Sequence, residues 1–474
     1  MADLQEYDVI VIGAGPTGEN VADRAVQGGL TVAIVESELV GGECSYWACM
    51  PSKALLRPGQ ALTEASRVAG SREAATGTLD VEAVLARRDS FASHWSDDRQ
   101  VAWLESAQVD LVRGRGRLAG ERRVDVETSD GSIQLAARKA VVVATGSEAA
   151  IPPVPGLADS RPWTTREATS AQKVPMHLIV LGGGVAGCEL AQAWASLGSE
   201  VTVVEMSDRL LAAAEPFASA LVAASMRDGG IELHLGAAAS SVSRAEDGQV
   251  RVELAGGGAI EGDEVLIAAG RHPRTSDVGL ETVGLKPGSW LSVDDSMMVE
   301  GVEGRWLYAA GDVNRRALLT HQGKYQGRVC GDAIAARARG AIDTSPWSRY
   351  SATADHASVP GVIFTDPEVA SVGYTLDRAR EAGLRVRAVD YAIGNTAGAS
   401  LYADGYDGEA RIVVDEDRHV IVGATFVGPA VAELLHSATI AVVGEIPLDR
   451  LWHAVPSYPT ISEVWLRLLE AYGL

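Results

Sequence analysis

A glycine-rich pattern typical of nucleotide-binding folds occurs twice in this chain and constrains the fold more than any other feature. An apolar run precedes each copy, and a helical stretch and a second apolar strand follow it. Each second strand ends on an acid, Glu36 or Glu205, 23 residues after the first glycine of its copy. The two copies are Gly13-Ala14-Gly15-Pro16-Thr17-Gly18 and Gly182-Gly183-Gly184-Val185-Ala186-Gly187. The sequence therefore predicts two complete βαβ units rather than a short repeat.

This pattern carries a specific binding chemistry. The first glycine permits the turn, the second lets the backbone approach a pyrophosphate, and the third lets helix and strand pack closely. The pyrophosphate lies on the free amides of the helix N-terminus, and the acid accepts hydrogen bonds from a ribose diol. Two purely structural turns are the alternative. We predict two dinucleotide sites, one at Gly13, Gly15, Pro16, Gly18 and Glu36 and one at Gly182, Gly184, Gly187 and Glu205.

The acid at the second site bears on cofactor choice. A carboxylate at Glu205 repels a 2′-phosphate and suits the free diol of NADH. Arg209 follows four residues later, and an arginine there can attract a 2′-phosphate, so NADPH remains an alternative cofactor. We interpret Arg209 as a solvated charge.

Composition excludes several functional classes. The 474 residues carry a net charge of −22, which disfavours binding to nucleic acid or to anionic membranes. No apolar run reaches the ~18 residues that a membrane span needs. The acidic start of the chain, without a basic leader pattern, predicts a cytoplasmic protein.

Four cysteines occur, and two of them, Cys44 and Cys49, lie five residues apart. On a regular helix five residues turn ~500° and rise ~7.5 Å, whereas a disulfide needs Cα atoms closer than ~7 Å. A bridge here would require distorted helical geometry. A nearby helix N-terminus and Lys53 would lower the pKa of a thiol. Two buried free thiols remain the alternative, but the position directly after the first nucleotide unit favours a redox-active pair.

Together these motifs resemble the flavoprotein disulfide reductases, the pyridine nucleotide–disulfide oxidoreductase family, which includes dihydrolipoamide dehydrogenase and mercuric reductase. The resemblance extends over essentially the whole chain. It includes the short motifs at residues 144–146, 270–271, 310–312 and 459–463. It implies an α/β fold with two Rossmann-like nucleotide-binding domains and a C-terminal α+β dimerisation domain. The expected domains are an FAD-binding domain in 1–150 that continues in 271–348, an NAD-binding domain in 151–270 and a dimerisation domain in 349–474.

The resemblance also implies cofactors and roles. FAD is expected at the first site and NAD at the second, with NADP left open. Cys49 would be the thiolate against the flavin, and Cys44 the interchange thiol. Lys53 and Glu189 would pair beside flavin N5, with a bare salt bridge as the alternative. Further cofactor contacts are expected from Gly42, Thr145, Gly146, Gly270, Arg271, Gly311, Asp312 and the helix start at His321, a residue that is itself structural rather than catalytic.

A homodimer with an active site shared between subunits is implied as well, and no metal site is expected. The C-terminal motif departs from the thiol-reducing members of the family, which carry a histidine where this chain has Tyr458, with Glu463 retained. A phenol with a pKa near 10 is a poor base at neutral pH. His453 is a substitute base or, as we favour, a packing residue.

The redox segment, residues 41–53, also departs from the family, because Glu43 replaces a threonine before Cys44. We expect this anion to raise the pKa of Cys44. The departures favour a small electron acceptor. The leading hypothesis is a dihydrolipoamide dehydrogenase-like oxidoreductase that passes electrons from NADH through FAD and Cys44–Cys49 to a small disulfide or another acceptor. A metal-ion or quinone reductase on the same scaffold is the close alternative, and a non-enzymatic redox sensor is the distant one.

Overall fold

The computed structural model describes residues 4–474. Its strands, numbered in chain order, are β1 Leu4–Ile12, β2 Val32–Glu36, β3 Asp110–Arg113, β4 Arg115–Leu118, β5 Arg123–Thr128, β6 Gly131–Val143, β7 Ser147–Ala149, β8 His177–Leu181, β9 Glu200–Glu205, β10 Glu232–Leu235, β11 Ala239–Arg244, β12 Val250–Leu254, β13 Ala259–Gly262, β14 Glu264–Ile267, β15 Arg271–Pro273, β16 Leu307–Ala309, β17 Pro360–Ile363, β18 Glu368–Gly373, β19 Val386–Ala392, β20 Glu409–Asp415 and β21 Val420–Gly428.

The α-helices are α1 Pro16–Gln27, α2 Gly42–Tyr46, α3 Cys49–Ser66, α4 Val81–Phe91, α5 Asp98–Ser106, α6 Thr165–Ser170, α7 Val185–Ser196, α8 Pro216–Asp228, α9 Thr320–Arg337, α10 Ala354–Ala357, α11 Leu376–Glu381, α12 Ala397–Tyr402, α13 Leu435–Val443, α14 Leu448–Leu451 and α15 Val464–Tyr472. Short 3₁₀ turns span Ser93–Trp95, Leu280–Val283, Asp312–Asn314, Ile393–Asn395, Val431–Leu434 and Ile461–Glu463.

The chain divides into two compact units. The first unit comprises residues 4–50, 89–149 and 270–356, and the second comprises 51–88, 150–269 and 357–474. Neither unit is one continuous stretch. The finer division into domains at residues 150, 270 and 348 stays a prediction.

The first unit is built on a sheet of order β3-β2-β1-β6-β5-β4, with β16 also paired to β6. β1, β2, β3, β6 and β16 run parallel, while β5 and β4 extend the sheet antiparallel. Residues 9–12 are buried, as the continuous apolar run of β1 predicts. The carboxyl ends of β1, β2, β6 and β16 meet at one edge, where parallel sheets of this kind bind ligands.

Two helices of the first unit, α1 and α9, pack closely because glycines on α9 face α1. A Cβ on Gly323 would lie 2.3 Å from Thr17 Oγ1, and one on Gly327 would lie 2.6 Å from the Thr17 carbonyl oxygen. A larger side chain at either position would therefore push the helices apart. This close approach sets the side chains of the first turns of both helices near each other.

The second unit contains a parallel sheet of order β10-β9-β8-β14 and two antiparallel sheets, β11-β12-β13 and β17-β18-β21-β20-β19. β8, α7 and β9 form the second copy of the predicted βαβ unit. The α/β class and the repeat are therefore confirmed.

The alanine- and arginine-rich sequence from Val81 to about Gln108 predicts a helical stretch, but the structure does not form one continuous helix there. α4 ends at Phe91 and α5 begins at Asp98. Between them Ser93, His94 and Trp95 have φ between +50° and +56°. Three consecutive residues with left-handed φ values cannot continue a right-handed helix, so the helix is interrupted there.

Candidate active site

A cavity of about 660 Å³ lies at the carboxyl edge of the parallel strands in the first unit. Both redox cysteines and most of the residues predicted for FAD line it. Gly18, Gly270 and His321 lie outside the lining, and His321 is exposed at the second position of α9. The predicted residues in the lining are Gly13, Gly15, Pro16, Glu36, Gly42, Cys44, Cys49, Thr145, Gly146, Arg271, Gly311 and Asp312.

The glycine turn has the geometry that a bound pyrophosphate requires. Gly13 has a φ of +104°, and a Cβ there would lie 2.5 Å from the Ala144 carbonyl oxygen. A Cβ on Gly18 would lie 1.9 Å from the Gly13 carbonyl oxygen. Helix α1 has Gly15 as its N-cap, and no side chain caps its first amides. These amides therefore remain available to an anion, which fits a dinucleotide such as FAD.

Glu36 ends β2 inside this cavity. Its carboxylate accepts hydrogen bonds from the backbone N–H groups of Ala14, at 2.7 Å, and Glu38, at 2.8 Å. Burial raises the pKa of Glu36, and those hydrogen bonds oppose the rise. The carboxylate is thus held at the strand end, where a ribose diol is expected.

An ion-pair network joins the redox segment to the strand that follows Gly270. Arg271 donates to Glu43 Oε2 at 3.0 Å, and Arg274 donates to Glu43 Oε1 at 2.9 Å. Arg271 also donates to Ser147 Oγ at 2.6 Å, and that hydroxyl donates to Asp312. Sequence reasoning missed Ser147 and Arg274. The sequence offered no local signal for either residue, because Glu43 and the two arginines lie more than 200 residues apart.

The two cysteines lie on different helices, so the segment departs from one regular helix as a disulfide between them requires. α2 ends at Tyr46, α3 begins at Cys49, and Trp47 between them has a φ of −137°. Both side chains are half-buried thiols. Cys49 Sγ lies 3.3 Å from the Thr320 hydroxyl at the start of α9. Thr320 is a further contact that sequence reasoning did not assign to the cysteines.

The pKa of Cys44 is raised well above that of an ordinary thiol. A hydrogen bond with Cys49 is the main cause and burial the next, while Thr320 and the charge of Lys324 act in the opposite direction. Glu43, which the sequence suggested as the cause, is engaged by its two arginines instead. The direction expected from Glu43 is therefore right and its expected cause is wrong, while the lowered thiol pKa expected from Lys53 and a helix N-terminus is wrong for Cys44.

In the second unit, Lys53 and Glu189 form an ion pair. Lys53 Nζ donates to Glu189 Oε2 at 2.6 Å, and the backbone N–H of Phe364 donates to Glu189 Oε1 at 2.8 Å. Only 4% of the Glu189 side chain is exposed. The predicted contact between these two residues is present, while their role beside a flavin stays a prediction.

The second nucleotide site repeats the geometry of the first. Gly182 has a φ of +116°, and a Cβ there would lie 2.5 Å from the Ala268 carbonyl oxygen. A Cβ on Gly187 would lie 1.9 Å from the Gly182 carbonyl oxygen. Gly184 caps α7 and offers no side chain to its first amides. The second unit therefore carries a dinucleotide cradle of the same kind.

Glu205 ends β9 at this second site. Its carboxylate accepts from the N–H groups of Gly183, at 2.6 Å, and Ser207, at 2.7 Å. Burial opposes ionisation, but these hydrogen bonds outweigh it and lower the pKa of Glu205. Arg209 donates to the carbonyl oxygens of Ala212 and Ala214. Arg209 therefore stabilises its own loop while half-buried, and our interpretation of it as a solvated charge stays a prediction.

The C-terminal motif does not form an acid–base pair within the chain. Tyr458 is 76% exposed, and His453 is exposed as well. Glu463 is buried and accepts from Arg467 at 2.6 Å and from the Ala397 N–H at 3.3 Å. The Glu463 carboxylate is thus already ion-paired, and the catalytic roles predicted for Tyr458 and Glu463 stay predictions.

Two kinds of feature are absent from residues 4–474. No helix in this part of the chain is long and apolar enough to cross a membrane. Within the same residues no group of three or more His, Cys, Asp or Glu side chains could hold a metal ion.

Comparisons with known proteins identify the family of this chain. Residues 7–327 match the family described as pyridine nucleotide-disulphide oxidoreductase, and residues 359–468 match the dimerisation domain of that family. The chain belongs to the pyridine nucleotide-disulphide oxidoreductase family. The expected class, an NAD(P)H-dependent FAD disulfide oxidoreductase, is confirmed, and FAD and NAD(H) are the cofactors of this family.

Individual relatives carry two different names. Dihydrolipoyl dehydrogenase from Thermus scotoductus is 32% identical over 474 residues, which cover 99% of this chain and 98% of that protein. Mercuric reductase from Staphylococcus aureus is 29% identical over 469 residues, which cover 97% of this chain and 81% of that protein. The overall family is therefore shown, while the electron acceptor is not.

Solved structures share the whole fold. The structure of LpdA from Mycobacterium tuberculosis is 26% identical, with a TM-score of 0.84, and covers 99% of this chain and 100% of that one. The HOCl-induced flavoprotein disulfide reductase RclA from Escherichia coli is 23% identical, with a TM-score of 0.82, and covers 98% of this chain and 99% of that one. The latter likeness shows the fold alone.

Proposed function

We propose that this protein takes electrons from NADH through FAD to a Cys44–Cys49 disulfide and delivers them to a small disulfide or another small oxidant. The observation that carries the proposal is the position of both cysteines in the lining of the dinucleotide cavity, with a hydrogen bond between them. The relatives named dihydrolipoyl dehydrogenase support the same electron path.

The chain's own residues would bind the cofactors and carry out the thiol–disulfide exchange. The amides at the start of α1, with Glu36 and Asp312, would bind FAD, and the cradle before α7, with Glu205, would bind NADH. When bound, FAD supplies two-electron transfer between a nicotinamide and a disulfide. Cys44 would attack the acceptor, and Cys49 would then close the disulfide.

An anaerobic titration of the FAD-loaded protein with NADH tests this path. We expect a long-wavelength thiolate–flavin absorbance band after two-electron reduction. Cys44→Ser should keep a band because Cys49 remains, whereas Cys49→Ser should lose it. A wild-type protein in which NADH bleaches the flavin without any such band would contradict the proposal.

A metal ion or a quinone is the second candidate acceptor. The exposed Tyr458, in place of an imidazole, and the mercuric reductase relative favour an acceptor that needs no dithiol base. Assays of lipoamide, Hg(II) and a quinone with wild type and Cys44→Ser separate the cases. Quinone reduction that survives the substitution, with disulfide reduction lost, would place the thiols off the quinone path.

We also propose a homodimer with the active site shared between subunits. The dimerisation domain supports it, and so do large apolar side chains that one chain leaves exposed in the second unit. Burial of such residues is a principal source of dimer stability. Light scattering over a range of protein concentrations tests the assembly. The exposed residues are Leu401, Ile440, Trp452 and Val455.

A further inference from the structure

The helix that carries Cys44, α2, is only five residues long and is held in place by two of its side chains. A helix this short is not stable in water by itself, so its position depends on tertiary contacts. Tyr46, at its C-terminal end, is fully buried, and its hydroxyl donates to the Val40 carbonyl oxygen at 2.9 Å. Glu43, in its first turn, makes the second contact. Cys44 therefore lies between two anchored residues.

Each oxygen of the Glu43 carboxylate accepts a hydrogen bond from a different arginine. Arg271 donates to Oε2 at 3.0 Å, and Arg274 donates to Oε1 at 2.9 Å. Only 18% of the Glu43 side chain is exposed, against 25% and 30% for the two arginines. Because all three groups are shielded from water and each hydrogen bond joins opposite charges, these contacts are stronger than an ordinary surface ion pair.

Backbone contacts in the first unit fix the two arginines. The strand β15, which begins at Arg271, pairs with β7, and Arg271 also donates to the Ser147 carbonyl oxygen at 2.7 Å. The backbone N–H of Arg274 donates to the Gly146 carbonyl oxygen at 3.0 Å. Glu43 thus attaches the first turn of α2 to a strand pair rather than to a loose loop.

Cys49 is positioned independently of Glu43. It begins α3, and its Sγ lies 3.3 Å from the hydroxyl of Thr320 at the start of α9. The chain leaves helical geometry between α2 and α3. A change at Glu43 can therefore move Cys44 without moving Cys49.

We propose that Glu43 is a positioning residue of the Cys44–Cys49 pair, which holds Cys44 within reach of Cys49 so that the disulfide can close. Glu43 acts through Arg271 and Arg274 and not by contact with an electron acceptor. This inference rests on the proposed function, because it concerns the reactivity of the same dithiol.

The physical reason is the conformational freedom of α2. Closing a disulfide costs the freedom that its two cysteines have in the dithiol state, and this cost is smaller when both are already fixed. Without the Glu43 contacts, α2 gains freedom in the dithiol state, whereas the disulfide itself restrains α2 in the oxidised state. Loss of these contacts should therefore shift the equilibrium toward the dithiol.

The test equilibrates the FAD-loaded protein with mixtures of reduced and oxidised dithiothreitol. Dithiothreitol loses two S–H bonds and forms a ring disulfide, while the Cys44–Cys49 bond breaks and two thiols form. Thiols are then trapped with a maleimide and counted by mass spectrometry. We expect Glu43→Ala to raise the ratio of dithiol to disulfide about tenfold in a given mixture, which is about 30 mV for a two-electron couple.

Further variants show whether Glu43 acts through its arginines. Glu43→Gln, whose amide oxygen can still accept from one arginine, should give a smaller shift, and so should Arg274→Met. The double variant of Glu43→Ala and Arg274→Met should shift no further than Glu43→Ala, because both substitutions remove the same contact.

Glu148→Gln is the matched control. The Glu148 carboxylate lies 3.6 Å from Arg274 Nε, but this residue is on β7 and not on the redox segment. The substitution removes an equal charge beside the same arginine and should keep the wild-type ratio within about twofold. The long-wavelength thiolate–flavin band, which the proposed function assigns to Cys49, should keep its wavelength in Glu43→Ala.

The outcomes are separable. If NADH leaves Cys44 and Cys49 of the wild-type protein as a disulfide, the proposed function fails. If NADH reduces the wild-type pair but Glu43→Ala keeps the wild-type ratio, shifts it toward the disulfide or displaces the flavin band, only the positioning role is overturned. If Glu43→Ala does not retain FAD, Arg274→Met decides, and a wild-type ratio in that variant overturns the role.

Discussion

Lys53 donates to the Glu189 carboxylate across 2.6 Å, although 136 residues separate the two in the chain. Glu189 is almost wholly buried, and its other oxygen accepts the backbone N–H of Phe364. A buried carboxylate that loses its cation leaves an unpaired charge in the low-dielectric protein interior, which destabilises the fold. The pair therefore stabilises the second unit whatever its role in electron transfer.

Lys53→Met should destabilise the protein by about 2–4 kcal/mol, because it leaves the Glu189 charge unpaired. Urea unfolding followed by far-UV circular dichroism measures the change. Lys139→Met removes an exposed lysine and is the matched control. A Lys53→Met protein within about 0.5 kcal/mol of wild type, the range usual for surface substitutions, would show that the ion pair contributes nothing to stability.

Gly187→Ala should disable the second nucleotide site while the protein keeps its flavin. The added Cβ would lie 1.9 Å from the Gly182 carbonyl oxygen, so the turn must shift. We expect NADH affinity to fall about tenfold or more, the size of a lost set of charge-assisted hydrogen bonds. Equilibrium titration with NADH measures it.

The equivalent substitution in the first copy, Gly18→Ala, meets the same 1.9 Å clash with Gly13 and should give protein without flavin. Gly256→Ala is the control, because no atom lies within 4 Å of its Cβ position and its φ is not positive. Equal flavin content in Gly18→Ala and Gly256→Ala would contradict the assignment of FAD to the first copy.

Glu205→Gln should weaken discrimination between the two nicotinamide cofactors. The carboxylate at the end of β9 repels a 2′-phosphate and suits a ribose diol. We expect the NADH dissociation constant to rise about tenfold and that of NADPH to fall, since a charged hydrogen bond is worth about 1.5–3 kcal/mol. Glu200→Gln, at the exposed start of the same strand, controls for charge. An unchanged ratio of the two constants would rule out Glu205 as the selector.

Stability should depend on pH through Glu19. Its pKa is raised from an ordinary 4.5 to about 7, so the native state favours the protonated form. The resulting stabilisation is fully present below about pH 4.5 and is lost as the pH rises through about 7. Wild type should therefore lose about 2–3 kcal/mol over this window relative to Glu19→Gln.

Urea unfolding at a series of pH values measures that difference, with Glu105→Gln as the charge control. The control should follow the wild-type curve. Parallel curves for Glu19→Gln and wild type across the window would mean that Glu19 titrates normally in the native protein.

The sequence alone determined the two nucleotide-binding βαβ units and the acids at their strand ends. It also determined that Cys44 and Cys49 cannot form a disulfide on one regular helix. These features lie within about 25 residues of chain, where allowed φ values, backbone hydrogen bonds and glycine sterics decide the conformation. A Cβ on Gly18 would lie 1.9 Å from the Gly13 carbonyl oxygen, and a Cβ on Gly187 would lie 1.9 Å from the Gly182 carbonyl oxygen, so the same local pattern produces the same turn twice.

Only the tertiary structure decided which distant groups meet. Thr320 reaches Cys49, Arg271 engages Glu43, and Lys324 shares a cavity with Glu19. These contacts depend on strand order and on the close packing of α9 against α1, which no local periodicity encodes. The electrostatics of the dithiol follow from those contacts, because charge and burial are set by what lies nearby in space.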